Sequence, residues 1–276
     1  MTLKARNALV LLMTLLVTIL LVTCVLAIFS VKPQAPLFKD LLSHASGRYF
    51  QLSWPLSKGE IQAAFISSGL SLFVAISMAI LFLAMFRRIS SPELFFIFLF
   101  WATMAFEVAK VINLWCIQTG LGMHFETLIS RIYYCGRLTG ALCLFAASLH
   151  LAGVKLQYQG TLLILILGIS ATCALVIPID TTTRCQGLLY LSSSDVSPDV
   201  LNVLIGILSL LNLAKFSLSS KKSRDLLITI PFSLLIVGHE FLFVAANTSM
   251  VVVAWIFLTS GTVWLCRRFV RSFLWY

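Results

Sequence analysis

Charge is what this sequence has least of. Only 11% of its 276 residues are Asp, Glu, Lys or Arg, and just ten are acidic, where an average soluble domain is about 25% charged. Catalytic signatures are missing as well. There is no HExxH, GxSxG or phosphate loop and no paired intramembrane aspartate, so the chain is not expected to be an enzyme and no cofactor is expected. None of the seven cysteines forms a CxxC pair, which argues against a metal cluster, and the four histidines are too dispersed to suggest one. The last apolar run, 250–266, has no lysine, which argues against a retinal Schiff base.

In place of charge stands apolar surface: 60% of the residues are hydrophobic and the mean hydropathy is +1.01. No soluble globule of this size buries that much, so lipid must be the solvent for most of the chain. Eight runs are long enough as helices to cross roughly 30 Å of hydrocarbon: 8–29, 61–86, 93–116, 127–152, 160–179, 199–216, 226–246 and 250–266. Asn202, Asn212 and Lys215 dilute the sixth. The net charge of +10 does not point to nucleic acid, because the basic residues form short clusters beside apolar runs, as topogenic charge does. With the N-terminus inside, twelve Lys and Arg fall on the cytoplasmic side, including Arg87, Arg88, Lys221, Lys222, Arg267 and Arg268, and five fall outside.

The expected fold class is all-α: a polytopic membrane bundle with an N-terminal anchor, or signal peptide, over 1–29, then seven helices. Uncleaved, it would be N-in and C-in. A short extracytoplasmic segment would occupy 30–60, the seven-helix domain 61–268 and a cytoplasmic tail 269–276. The expected location is the cytoplasmic (inner) membrane, and the expected partners include its lipids.

Ionisable residues inside such spans are costly and are default functional candidates. Glu107, Lys110 and Asn113 lie three residues apart on one stripe, where Glu107 can pair with Lys110. Ser130, Arg131, Tyr134 and Arg137 share a face of the next span, and His239 with Glu240 lies in the seventh. All of these fall in the outer half of the bilayer, where they could meet in one cavity. Glu107 and Glu240 against Lys110, Arg131 and Arg137 leave one excess positive charge. A spare guanidinium beside tyrosine suits a small carboxylate or phosphate ligand. Two other readings stand beside this one. One is a helix-to-helix network, with Arg137 on Glu240 and Arg131 reaching interfacial water or a lipid headgroup. The other is a proton or ion pathway, in which His239 titrates near neutrality. His150, near the cytoplasmic end of the fourth span, is expected at the surface. Cys116 and Cys185 both fall outside, where a disulfide between them is conceivable.

Residues 61 to about 152 resemble the membrane module of bacterial seven-transmembrane receptors with diverse intracellular signalling modules. The resemblance lies in Arg87-Arg88-Ile89-Ser90-Ser91 leading into the aromatic run Leu94 to Phe100, in the glycine-containing turn Thr119 to His124, and in Arg131 with the stretch Ala141 to Ala147 on the third helix of the module. It implies a sensory role, and because no output domain is expected after the last span, the signal would pass to a separate cytoplasmic protein. The competing expectations are a small-solute or ion transporter and a membrane-complex scaffold subunit.

Overall fold

The structure is a computed structural model describing residues 3–32, 61–86, 91–154, 159–184, 189–192, 198–219, 223–245 and 248–273. In chain order the elements are α1 (Leu3–Ser30), α2 (Ile61–Leu81) ending in a π-helical turn over Phe82–Phe86, α3 (Pro92–Thr103), a 3-10 segment over Met104–Val108, α4 (Ala109–Thr119), α5 (Met123–Leu151), α6 (Gln159–Val176), β1 (Ile179–Arg184), β2 (Tyr190–Ser192), α7 (Pro198–Ser219), α8 (Ser223–Val244) and α9 (Thr248–Phe273). Six helical stretches are long and apolar enough to cross a bilayer, and Ile228–Phe243 of α8 is a shorter apolar helix. The chain is therefore a helical, multi-pass integral membrane protein.

Backbone chemistry explains why helices dominate. In hydrocarbon every N–H and C=O must be bonded within its own segment, and a helix does this without partners. The start of α3 is set by Ser91, whose hydroxyl accepts from the Leu94 amide at 3.4 Å, with Pro92 in the first turn where its missing N–H costs nothing. Everything from Leu94 to Ala102 is buried, so this aromatic helix is packed on all faces. The turn to α5 is a glycine device. Gly120 at φ 69° and Gly122 at φ 94° take conformations that side chains resist, and the Gly120 and Leu121 amides close onto the carbonyls of Ile117 and Cys116.

Two rods form the centre: 83% of the most apolar window of Pro92–Thr119 is buried and 72% of that of α5, against 17% for α1 and 22% for α6. The longest helix, α5, touches α3, α4, α6, α7 and both strands. At the edge, α1 packs on α2 and α4 through a seam at Val10, Val17, Cys24 and Val31, spaced by seven residues. Its outer end is tied by Gln118, which donates to the Ser30 carbonyl at 3.1 Å and accepts from the Lys32 amide at 2.7 Å. The inner end is held by Arg6, buried over the Phe82 ring. Ser30 and Lys32 thus lie beside the end of α4, and Arg6 beside the end of α2, as the alternating orientation requires.

Three features depart from the sequence reading. The loop after the fifth run contains a small antiparallel hairpin, with Ile179 opposite Ser192, so the bundle is not purely helical. The helix α9 continues to Phe273, past the boundary expected at 268. His150 is not on the surface but half-buried, stacked on Phe96 at 5.6 Å. The expected segment 30–60 lies outside the described residues from Pro33 onward, as do Arg87, Arg88, Lys221 and Lys222.

Lipid offers helices no hydrophobic incentive to associate, so close packing falls to small residues. A Cβ at Gly261 would stand 2.8 Å from the Pro231 carbonyl oxygen, and one at Gly238 would stand 3.0 Å from the Leu258 amide nitrogen, so α8 and α9 nearly touch along their backbones. Gly168, on the exposed face of α6, has nothing within 4 Å of such a Cβ. Replacing Gly261 by Leu is expected to destabilise the bundle by about 1–3 kcal/mol, while Gly168→Leu should leave it unchanged. Thermal denaturation of both variants in one detergent checks the contrast.

Candidate functional site

Polar residues of the 3-10 segment, α4, α5, α7 and α8 assemble as two adjoining clusters within the bundle. The first is built on Glu107, which sits in the 3-10 segment. Lys110, three residues on, pairs with its carboxylate at 2.6 Å. Ser67 of α2 donates to Oε2 at 2.7 Å, Tyr133 of α5 donates to Oε1 at 2.9 Å, and Ser68 donates to the Glu107 backbone carbonyl at 2.7 Å. The Lys110 ammonium also lies 5.3 Å from the centre of the Tyr133 ring. Asn113 is fully buried one turn further along α4. A buried carboxylate is tolerable only when its charge and lone pairs are met, and here three helical rods meet them.

The second cluster centres on Arg137. Its guanidinium joins Asp199 at the start of α7 and Glu240 of α8, and lies over the Phe243 ring with its carbon 3.2 Å from the ring centre. The planar fork of donors is what lets one side chain hold two carboxylates. The other Glu240 oxygen meets Nδ1 of His239 at 3.2 Å, and the His239 ring sits edge-on to Phe100. Between the clusters lies a cavity bounded by Glu107, Tyr133, Arg137, His239, Phe243 and Thr103, leaving about 20 Å³ for the centres of water molecules. That is room for one or two waters.

No family model, curated protein or solved structure matches this chain. The reading of the site therefore rests on its chemistry.

Glu107, Arg137 and His239 do meet around one cavity, Glu107 pairs with Lys110, and Arg137 pairs with Glu240. Arg131 goes elsewhere. It does not line the cavity but donates to the backbone carbonyls of Ala174 (3.2 Å) and Leu175, capping the negative end of α6. Tyr134 donates to the Tyr190 carbonyl at 3.3 Å, while the Tyr190 amide donates to Ser130 at 3.0 Å, so α5 grips strand β2 through both of its backbone groups. The excess guanidinium inferred from sequence is thus not spare, and Arg137 serves two carboxylates. Cys116 is buried beside Tyr133 and Tyr134, whereas Cys185 lies outside the described residues.

Sequence reasoning missed Ser67, Ser68, Tyr133 and Asp199. It also missed Gly136 and Gly140. A Cβ at Gly136 would lie 2.5 Å from the Phe106 side chain, and one at Gly140 would lie 2.8 Å from Thr103 Oγ1 and 3.2 Å from His239 Nε2. The GxxxG spacing is the pattern that could have pointed to this close approach. Removing the guanidinium strands two carboxylates, so Arg137→Met should cost about 3–5 kcal/mol. Replacing all three charges, Arg137→Met with Asp199→Leu and Glu240→Leu, should restore much of that stability. Melting temperatures of the single and triple variants test this.

Proposed function

We propose that this chain is a sensory receptor-like protein of the cytoplasmic membrane, built from an N-terminal anchor and seven transmembrane helices with both ends inside, that passes an outer or intramembrane stimulus to a separate cytoplasmic protein. One observation carries the reading: the outer hairpin is latched to α5 through Ser130 and Tyr134, within two turns of the Arg137 joint between α5, α7 and α8. A displacement of the hairpin therefore acts on the helix that touches most of the bundle. Interfaces of this kind hold discrete arrangements rather than deforming smoothly, which is what a switch requires. The receptor-like pattern of residues 61–152 agrees with this reading. The basic inner stretches around Lys221–Arg224 and Arg267–Arg271 supply the docking charge for the partner.

A transport role is the second reading, favoured by the water-sized cavities on either side of His239. In-cell crosslinking from a photoreactive residue at Lys222, and separately at Arg268, distinguishes them. Capture of a kinase, cyclase or response regulator, altered by Arg137→Gln, is the expected result. Capture of membrane-assembly subunits alone, or of nothing at either position, overturns the receptor reading, and solute uptake that Arg137→Gln abolishes would establish the transporter.

A further inference from the structure

Away from His239, a larger and apolar cavity lies against the aromatic helix. It is a crevice between α2 and α9, floored by Phe98 and Trp101 of α3, Leu235 of α8 and Leu265 of α9. Met78, Leu81 and Cys266 form its rim. The floor is buried and the rim only half-buried, so the crevice opens sideways, toward lipid. Out to its mouth it holds about 400 Å³ of empty space, within the range of small-molecule sites. Leu94 and Trp101 of α3 mark its length, roughly 10 Å at the helical rise. That is about two thirds of the depth of one leaflet, roughly 15 Å.

The lining is almost wholly apolar, and its one hydroxyl, that of Thr262, already donates to the Leu258 carbonyl at 2.6 Å. Water gains little in such a place, and a void left empty forfeits the dispersion contacts of every atom that faces it. A flexible methylene chain supplies those contacts. Charge at the near end of the crevice adds a second requirement. There α1, α3 and α8 begin and α2, α5, α7 and α9 finish. By their places in the sequence, the segments at that end carry twelve Lys and Arg against two acids, Glu93 and Asp225. Arg6 lies over the Phe82 ring, 5.4 Å from its centre, and Phe82 is one wall of the crevice. Arg268 stands one helical turn beyond Leu265. Positive charge gathered beside a membrane surface draws anionic headgroups, whereas a headgroup of zero net charge has no such attraction.

We propose that this crevice binds one anionic phospholipid of the adjacent leaflet, with an acyl chain lying along α3 between α2 and α9 and the phosphate at the arginine-bearing helix ends. The chain closes the seam between α2 and α9, and so joins the α1–α2 side of the bundle to the α8–α9 pair. The site stands whether the bundle senses or transports, so its failure and that of the receptor reading are separable.

The test uses the purified full chain, stripped of lipid in detergent and supplied with dioleoyl phosphatidylglycerol or dioleoyl phosphatidylcholine. Native mass spectrometry counts the lipid retained, and thermal denaturation is the second readout. The expected result is a single phosphatidylglycerol held per chain and a midpoint that rises with that lipid and not with phosphatidylcholine. Leu81→Trp, which lays a ring across the mouth, should abolish retention, and Gly168→Leu should preserve it. Should Leu81→Trp fail to fold, Arg267→Gln with Arg268→Gln is the companion, and phosphatidylglycerol should weaken by roughly fivefold for each charge removed. Glycerol 3-phosphate, the headgroup without its chains, should leave the midpoint where it is. Equal retention of the two lipids, retention unchanged in both the Leu81 and the arginine variants, or a rise with glycerol 3-phosphate equal to that with the lipid overturns the proposal.

Discussion

A guanidinium cannot stay charged inside a bilayer unless the protein brings its counter-ions to it. Arg137 is buried at the middle of the most connected helix, and its partners come from two other helices, Asp199 on α7 and Glu240 on α8. That requirement sets where the first turn of α7 stands against α5, which face of α8 turns inward and where Phe243 lies over the guanidinium. The hairpin follows from it, because the loop between α6 and α7 must span from the capped end of α6 to Asp199 across the tyrosines of α5. The other polar cluster differs in kind. Glu107 satisfies its charge within its own rod, through Lys110, and borrows hydroxyls from α2 and α5. Removing any one donor there leaves the others in place, whereas Arg137 is a single point through which three helices are joined.

This arrangement bears on what the bundle can recognise. A ligand anion needs an unclaimed cation, and both central cations are claimed, with Arg131 committed to the end of α6. What the interior offers is small cavity space walled in part by His239.

Much of the fold was legible because lipid imposes strong constraints on sequence. The apolar runs coincide with helices, and the alternating direction of successive runs agrees with the proximity of Ser30 to Gln118 and of Arg6 to Phe82. The pairs Glu107–Lys110 and Arg137–Glu240 were legible too, the first from i, i+3 spacing and the second from depth and opposite charge. The rest failed for identifiable reasons. Asp199 opens the sixth run at the edge of a polar stretch, with no spacing to a partner in sequence, and the first turn of α7 carries it to Arg137. The partners of Arg131 are backbone carbonyls, which any residue supplies and which no side-chain pattern reveals. The strand Ile179–Arg184 is short and threonine-rich, with no alternation to mark a buried face. Tyr133 donates to Glu107 across the contact where Phe106 lies against Gly136 of α5, a matter of packing rather than of periodicity.

The central rod is also keyed like a screw. Over the five residues Met104–Val108 its backbone winds as a 3-10 helix, turning about 20° further and rising about 0.5 Å more per residue than an α-helix would. Accumulated over the segment, α4 stands roughly a quarter turn ahead of, and about 2.5 Å beyond, the place a uniform helix would give it. Lys110 and Asn113 therefore stand at a different angle about the rod axis than an unbroken α-helix would give them, and Glu107 sits on the thread itself. The carboxylate that α2 and α5 grip is thus carried on a stretch of the rod whose pitch differs from that of the helices on either side of it.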